Sequence, residues 1–123
     1  MNVTLSFGEI LADLRHERNM RQQDLALRLH VDRKTVSSYE SGNSIPTIKN
    51  ILKIAEIFDV SVDYLLGRTS VRMKWSAFEE PFVSGSSPTL GAVADEIDAL
   101  GDKSKNSLLE YLRLLQISEK VDK

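Results

Sequence analysis

Apolar residues recur from Phe7 to Leu66 at the three- and four-residue spacing of helices. Phe7, Ile10, Leu11 and Leu14 mark one face of a helix over 6–18, and Ser6 with Glu9 has the spacing of a capping box. Asn19, tolerant of positive φ, suits its stop. A second helix is expected over 22–29, with Leu25, Ala26 and Leu29 inward. A third follows Asp32, an N-cap residue, and runs to about Ser41 with Val36 and Tyr39 inward, and Gly42 ends it. Residues 43–46 read as a loop. Thr47 caps a fourth helix whose stripe is Ile48, Ile51, Leu52, Ala55 and Phe58. Ser61 caps a short fifth, carrying Val62, Leu65 and Leu66 and closed by Gly67. Five short helices in about 60 residues imply a compact all-α domain.

That rhythm breaks at residues 68–88, where Ser, Gly and two prolines suggest a linker. Its apolar residues complicate the reading. Val71, Met73 and Trp75 alternate with Arg72 and Lys74, as in a short extended segment. Trp75, Phe78 and Phe82 are costly to leave in water, so they are expected to dock on the helical domain, or else to meet a partner. Two further helices follow. Residues 89–100 align Leu90, Val93, Ile97 and Leu100 before Gly101. Residues 103–118 carry Leu108, Leu109, Tyr111, Leu112, Leu114, Leu115 and Ile117, too many for one face. About 30 residues cannot bury a sufficient core alone. A second copy of the chain is the expected cover, with Leu108, Leu109, Leu112 and Leu115 at the contact.

Composition alters this picture in one place. The 123 residues are 41% hydrophobic and 28% charged with net charge −2, which does not suggest a nucleic-acid partner. The distribution does more. Between Arg15 and Lys34 lie six cations (Arg15, Arg18, Arg21, Arg28, Arg33, Lys34) and three acids (Glu17, Asp24, Asp32), a window of +3 that leaves −5 for the rest. There is no cysteine, which excludes disulfides and thiolate metal sites. His16 and His30 are too isolated for a metal or catalytic site, and P-loop, HExxH and GxSxG motifs are absent, so neither cofactor nor enzymatic activity is expected. No apolar run nears the ~20 residues of a membrane span. MNVTLSFGEI lacks the basic and apolar regions of a signal peptide, so a cytoplasmic protein is expected.

Residues 22–42, QQDLALRLHVDRKTVSSYESG, contain two helices joined by a short turn, the pattern of a helix-turn-helix motif. Ala26 is small enough for close approach and Val31 plugs the gap. The second helix keeps Arg33, Lys34, Ser37 and Ser38 outward, with Thr35 to one side. An α-helix fits the DNA major groove, where Arg33 can bond guanine O6 and N7 bidentately and Lys34 can reach guanine or phosphate.

With LRHERN before it and Pro46 and ILKIAEIFDVSVDYLLG after it, the stretch resembles the Cro/C1-type (XRE) helix-turn-helix family over residues 7–67. The resemblance implies a five-helix lambda-repressor-like DNA-binding domain over 1–67, its helix-turn-helix motif at about 22–41. A linker at 68–88 and a C-terminal helical oligomerisation segment at 89–123 would follow. It implies a regulator of transcription, a repressor, that binds double-stranded DNA as a homodimer at an inverted repeat, with no small-molecule ligand evident. Base reading would fall to Arg33, Lys34, Thr35, Ser37 and Ser38. Phosphate contacts would fall to Arg21, Gln22, Ser41 and Asn43, with Gln22 also bracing recognition side chains. Arg15 and Glu40 would form a structural salt bridge. Two positions depart from the pattern: His30 stands where the second helix ends in Gly, and Arg21 where Ser or Thr precedes it. Two other readings stay open. One is an antitoxin or a phage or mobile-element immunity regulator with the same DNA chemistry. The other is an interaction module acting through the C-terminal helices.

Overall fold

The computed structural model describes residues 5–72, 74–85 and 87–121. Met73, part of the expected alternation, and the first four residues of the N-terminal stretch lie outside them. The chain divides into two compact units, Met1–Ser76 and Ala77–Lys123.

The first unit is a cluster of five helices: α1 (Phe7–Glu17), α2 (Gln22–Leu29), α3 (Arg33–Ser41), α4 (Ile48–Phe58) and α5 (Val62–Leu65). Their ends follow from local chemistry. The Ser6–Glu9 capping box is formed at the start of α1, and Asp32, Thr47 and Ser61 cap α3, α4 and α5 through their side-chain oxygens. The four turns that join these helices use left-handed backbone at Asn19 (φ 53°), His30 (φ 58°), Gly42 (φ 85°) and Asp59 (φ 51°), as does Gly67 (φ 77°) after α5. His30 therefore adopts the conformation that glycine would adopt at no steric cost.

Leu11, Leu14, Leu25, Ala26, Leu29, Val36, Tyr39, Ile54, Phe58 and Leu65, drawn from all five helices, form one core with Ile10, Ala55 and Val60. Val31 packs against it from the turn. The backbones of α1 and α3 approach so closely that a Cβ on Gly8 would lie 2.3 Å from the Glu40 carbonyl oxygen and 2.7 Å from that of Tyr39.

The expected stripe of α4 needs correction. Ile48 and Leu52 are 78% and 51% exposed, whereas Ile54, absent from that stripe, is fully buried. The helix turns the face of Ile51, Ile54, Ala55 and Phe58 inward, because its C-terminal half enters the core while its first turn stands clear of it.

The described residues of the 68–76 segment are tied to the helices before them. Arg72 pairs with Glu17 of α1 and lies 5.8 Å from the Tyr64 ring centre. The Trp75 N–H donates to the Asp59 carbonyl (3.2 Å), and the Ser76 N–H and hydroxyl both donate to the Asp59 carboxylate (3.0 and 2.7 Å). Backbone and serine make these bonds, and of the three aromatic residues Phe78 is half-buried while Trp75 and Phe82 are 56% and 59% exposed. A 3-10 turn, Trp75–Glu79, replaces the end of the anticipated extended segment.

In the second unit an isolated antiparallel bridge joins Pro81 to Thr89, and Thr89 caps α6 (Leu90–Asp98). Gly91 allows that helix to approach the Phe78 carbonyl, 3.0 Å from where a Cβ would be. The last helix, α7 (Asp102–Val121), runs past the anticipated end at 118. Leu108 is half-buried, but Leu109, Tyr111, Leu112, Leu114, Leu115 and Ile117 are all exposed. Among the described residues no helix is long and apolar enough to cross a membrane.

Replacing Gly8 by Ala forces a methyl into backbone oxygens that cannot move without separating α1 from α3, so a loss of about 3 kcal/mol is expected. Urea unfolding followed by circular dichroism measures it, and an unchanged midpoint would show that the two helices are not in this contact.

Candidate nucleic-acid interface

The polar face of α3 is positioned by what lies behind it. Val36 and Tyr39 anchor the helix in the core, which turns Arg33, Lys34, Ser37, Ser38 and Ser41 to the other side. Asp32 fixes the start, accepting from the Thr35 N–H (3.0 Å) and hydroxyl (2.6 Å). These bonds hold the Asp32 carboxyl below its usual range.

A continuous polar chain runs from Glu40, near the C-terminal end of α3, to Arg33 at its start. The Arg15 guanidinium donates to Glu40 through Nε (2.7 Å) and Nη2 (2.9 Å), and to the Met20 carbonyl through Nη1 (2.8 Å). Both side chains of the pair are only 10% exposed. Glu40 also accepts from Gln22 Nε2 (3.0 Å), which leaves Gln22 Oε1 to accept from Arg33 Nη1 (3.4 Å). The chain Arg15–Glu40–Gln22–Arg33 therefore links α1, α2 and α3 and ends on an exposed cation. Burial alone would push the Glu40 carboxyl up. Hydrogen bonds from Arg15 and Gln22, with the Arg15 charge, outweigh burial and leave Glu40 lowered.

The basic window between Arg15 and Lys34 divides into two groups. Arg15 is buried in its ion pair. Arg18 donates to the Ile57 carbonyl (2.6 Å) and stacks 5.3 Å from the Phe58 ring centre, so it closes the end of α4. Arg21 is exposed but held by Asp24 through Nε (3.1 Å) and Nη2 (3.0 Å). Of the six cations in this window, Arg18, Arg28, Arg33 and Lys34 are exposed and in no ion pair among the described residues, and Arg18 is already committed to the Ile57 carbonyl.

The other candidates differ in how free they are. The Ser38 hydroxyl accepts from Ser44 Oγ (2.8 Å), while the Ser38 carbonyl accepts from the N–H groups of Asn43 (3.0 Å) and Ser44 (3.3 Å). Ser41 Oγ donates to that same carbonyl (3.2 Å). Asn43 is exposed beside them, and Ser37 is half-buried. Arg33, Lys34, Ser37, Ser38, Ser41 and Asn43 thus belong to α3 and the loop that follows it, with Gln22 behind Arg33. Thr35 is turned toward Asp32, and Arg21 toward Asp24. Three contributors were not singled out in the sequence: Ser44, Asp24 and the Met20 carbonyl. The three-residue spacing of Arg21 and Asp24 was the available signal for one of them. The other two depend on loop paths. Arg21 supplies no acceptor to cap α2, but Asp24 accepts from the Arg21 N–H (3.0 Å) and satisfies one of the orphan donors.

Residues 11–65 match the helix-turn-helix family. That match lies within the first unit, which is similar over these residues to helix-turn-helix domains of the Cro/C1 type. Its relatives include the transcriptional activator BcrR of Enterococcus faecalis, 37% identical over 62 residues, covering 50% of this chain and 30% of that protein. Another is the cryptic phage CTXphi transcriptional repressor RstR of Vibrio cholerae, 37% identical over 64 residues, covering 52% of this chain and 57% of that protein. The chain therefore spans between about a third and three-fifths of these relatives. Among solved structures, a transcriptional regulator from Listeria innocua aligns over 94% of this chain and 96% of its own, with a TM-score of 0.51. At 21% identity that likeness is one of fold.

The helix-turn-helix unit depends on its buried pair. Arg15→Met strands the Glu40 carboxylate, and a loss of about 3 kcal/mol is expected in urea unfolding. With Glu40 lowered in the folded state, its contribution is complete above the unfolded-state value of about 4.3 and disappears as pH falls through the folded-state value. The stability gap between the wild type and Glu40→Gln should therefore narrow below about pH 4. A constant gap in acid titrations would show that Glu40 does not titrate with this linkage.

Proposed function

We propose that this protein is a DNA-binding regulator of transcription that inserts α3 into the major groove of double-stranded DNA. The observation that carries this reading is the exposed cationic start of α3, braced from behind by the Glu40–Gln22–Arg33 chain in a Cro/C1-type unit. Holding the Arg33 guanidinium in place lowers the freedom it must lose on meeting a guanine edge, and Lys34 beside it adds a second cation. Arg21, Gln22, Ser41 and Asn43 flank that surface as phosphate contacts. Arg21 would exchange its Asp24 partner for a phosphate.

The protein would act as a homodimer. Leu109, Leu112 and Leu115 of α7 are each 44–47% exposed, and Leu108 adjoins them. A second copy covering this face would take that surface from water. Two-fold symmetry then calls for an inverted repeat with half-sites about 34 Å, one helical turn, apart. Repression follows where such a site overlaps a promoter, and a cytoplasmic location accords with this role. The phage repressor among the relatives favours, as a second reading, a regulator of mobile-element immunity with the same DNA chemistry.

Selection from random duplex DNA, followed by binding at fixed salt, tests the main reading. Arg33→Ala with Lys34→Ala should weaken the selected site at least ~10-fold, since each good base contact is worth ~1–3 kcal/mol. Equal binding by both proteins would sink the assignment of α3 as reading head. Leu112→Glu with Leu115→Glu should convert a sedimenting dimer to a monomer and reduce operator affinity. A wild type that remains monomeric at high micromolar concentration would remove the dimer.

A further inference from the structure

Residues 68–76 lie between the last helix of the DNA-binding unit and the unit that carries α6 and α7, where a tether is the ordinary expectation. Fully extended, nine residues reach about 30 Å, and a flexible coil of that length has a typical span of about 17 Å. Two such tethers in a dimer would let the recognition helices adjust to half-sites at many separations, because the span they cover is comparable to a helical turn of DNA.

The described residues of this segment are instead fastened to the first unit at two separate points. Arg72 Nη1 donates to Glu17 Oε1 (2.7 Å), Nη2 meets the other carboxylate oxygen, and the guanidinium lies over Tyr64. Three donors, the N–H groups of Trp75 and Ser76 and the Ser76 hydroxyl, converge on Asp59 at the end of α4. Asp59 is in the left-handed conformation, so its carbonyl and carboxylate are both available to the incoming strap. Each anchor is exposed and weak alone. Acting on the same short segment, they leave little free chain before Ala77.

We infer that the Arg72–Glu17 and Ser76–Asp59 anchors act as a ruler, shortening the tether so that the protein selects operators by half-site spacing. The inference rests on the two-copy reading above. Arg72, Trp75, Ser76, Glu17 and Asp59 become spacing-determining residues, although none belongs to the face proposed to meet DNA.

Trp75 is the chain's single tryptophan, so its fluorescence reports on the strap directly. In the full-length wild type its time-resolved anisotropy should decay with the tumbling of the folded unit. In Arg72→Ala/Ser76→Ala, added nanosecond local motion should appear. Both proteins are then bound to the selected operator and to versions with the half-sites moved apart by five base pairs, about half a helical turn. The wild type should lose at least ~10-fold in affinity on the lengthened site and the variant less than about threefold, because a longer tether restores simultaneous engagement. Glu17→Ala/Asp59→Gly, which removes both carboxylates from the other side and leaves only the Trp75 N–H bond to the residue 59 carbonyl, with a glycine suited to the left-handed backbone, should loosen the strap at least as much as the first variant. Free local motion of Trp75 in the wild type, or equal spacing tolerance in wild type and variants, overturns the ruler. A monomeric full-length chain in sedimentation overturns it by a different route: the dimer fails while the anchoring remains visible in Trp75.

Discussion

The Glu40 carboxylate is the group on which the first unit turns. It lies on α3, yet its hydrogen bonds go to Arg15 of α1 and Gln22 of α2. A carboxylate with so little access to water is tolerable only while a cation meets it squarely, and Arg15 does so with two nitrogens. The same bonds settle the azimuth of α3 about its own axis. If Glu40 must point at Arg15, and Val36 and Tyr39 must point at the core, then the remaining positions have no choice but to face outward. The polar surface of the motif is thus the complement of its buried chemistry.

Close packing reinforces that arrangement. Gly8 lets the α1 backbone touch the carbonyls of Tyr39 and Glu40, which brings Arg15, two turns further along α1, into range of the Glu40 carboxylate. Ala26 of α2 is fully buried in the same core as Val36 and Tyr39 of α3. A side chain larger than either would move α3 and misdirect the ion pair together, so steric and electrostatic constraints on these helices are not separable.

Much of this was legible in the sequence because it is local. Caps at Ser6, Asp32, Thr47 and Ser61 and stops at Asn19, His30 and Gly42 depend on a few neighbouring residues, and helix spacing identified most of the core. The stripe of α4 was misjudged because it offers more apolar positions than one face can hold. Periodicity alone does not say that Ile54 rather than Ile48 enters the core. The site was legible as a set of residues but not as a set of partners. That Arg18 closes α4, that Thr35 bonds Asp32, and that Ser38 receives Ser44 depend on the path of loops and on competing acceptors. The strap was least legible, since its aromatic residues drew attention while anchors are made by the Arg72 guanidinium, main-chain N–H groups and a serine.

The contact between Gly8 and α3 also has a kinetic meaning. The α2–α3 pair closes through a turn of a few residues and can form early and cheaply, as local contacts do. Joining α1 requires closing about 25 residues of chain, from Arg15 to Glu40, onto a surface with no tolerance for a misplaced backbone. Substitutions at Gly8 would therefore divide their effect between folding and unfolding rates according to how early that closure occurs. If α1 docks late, the α2–α3 pair exists briefly as a paired but unbraced hairpin of helices, with Glu40 still in water and α3 free to roll.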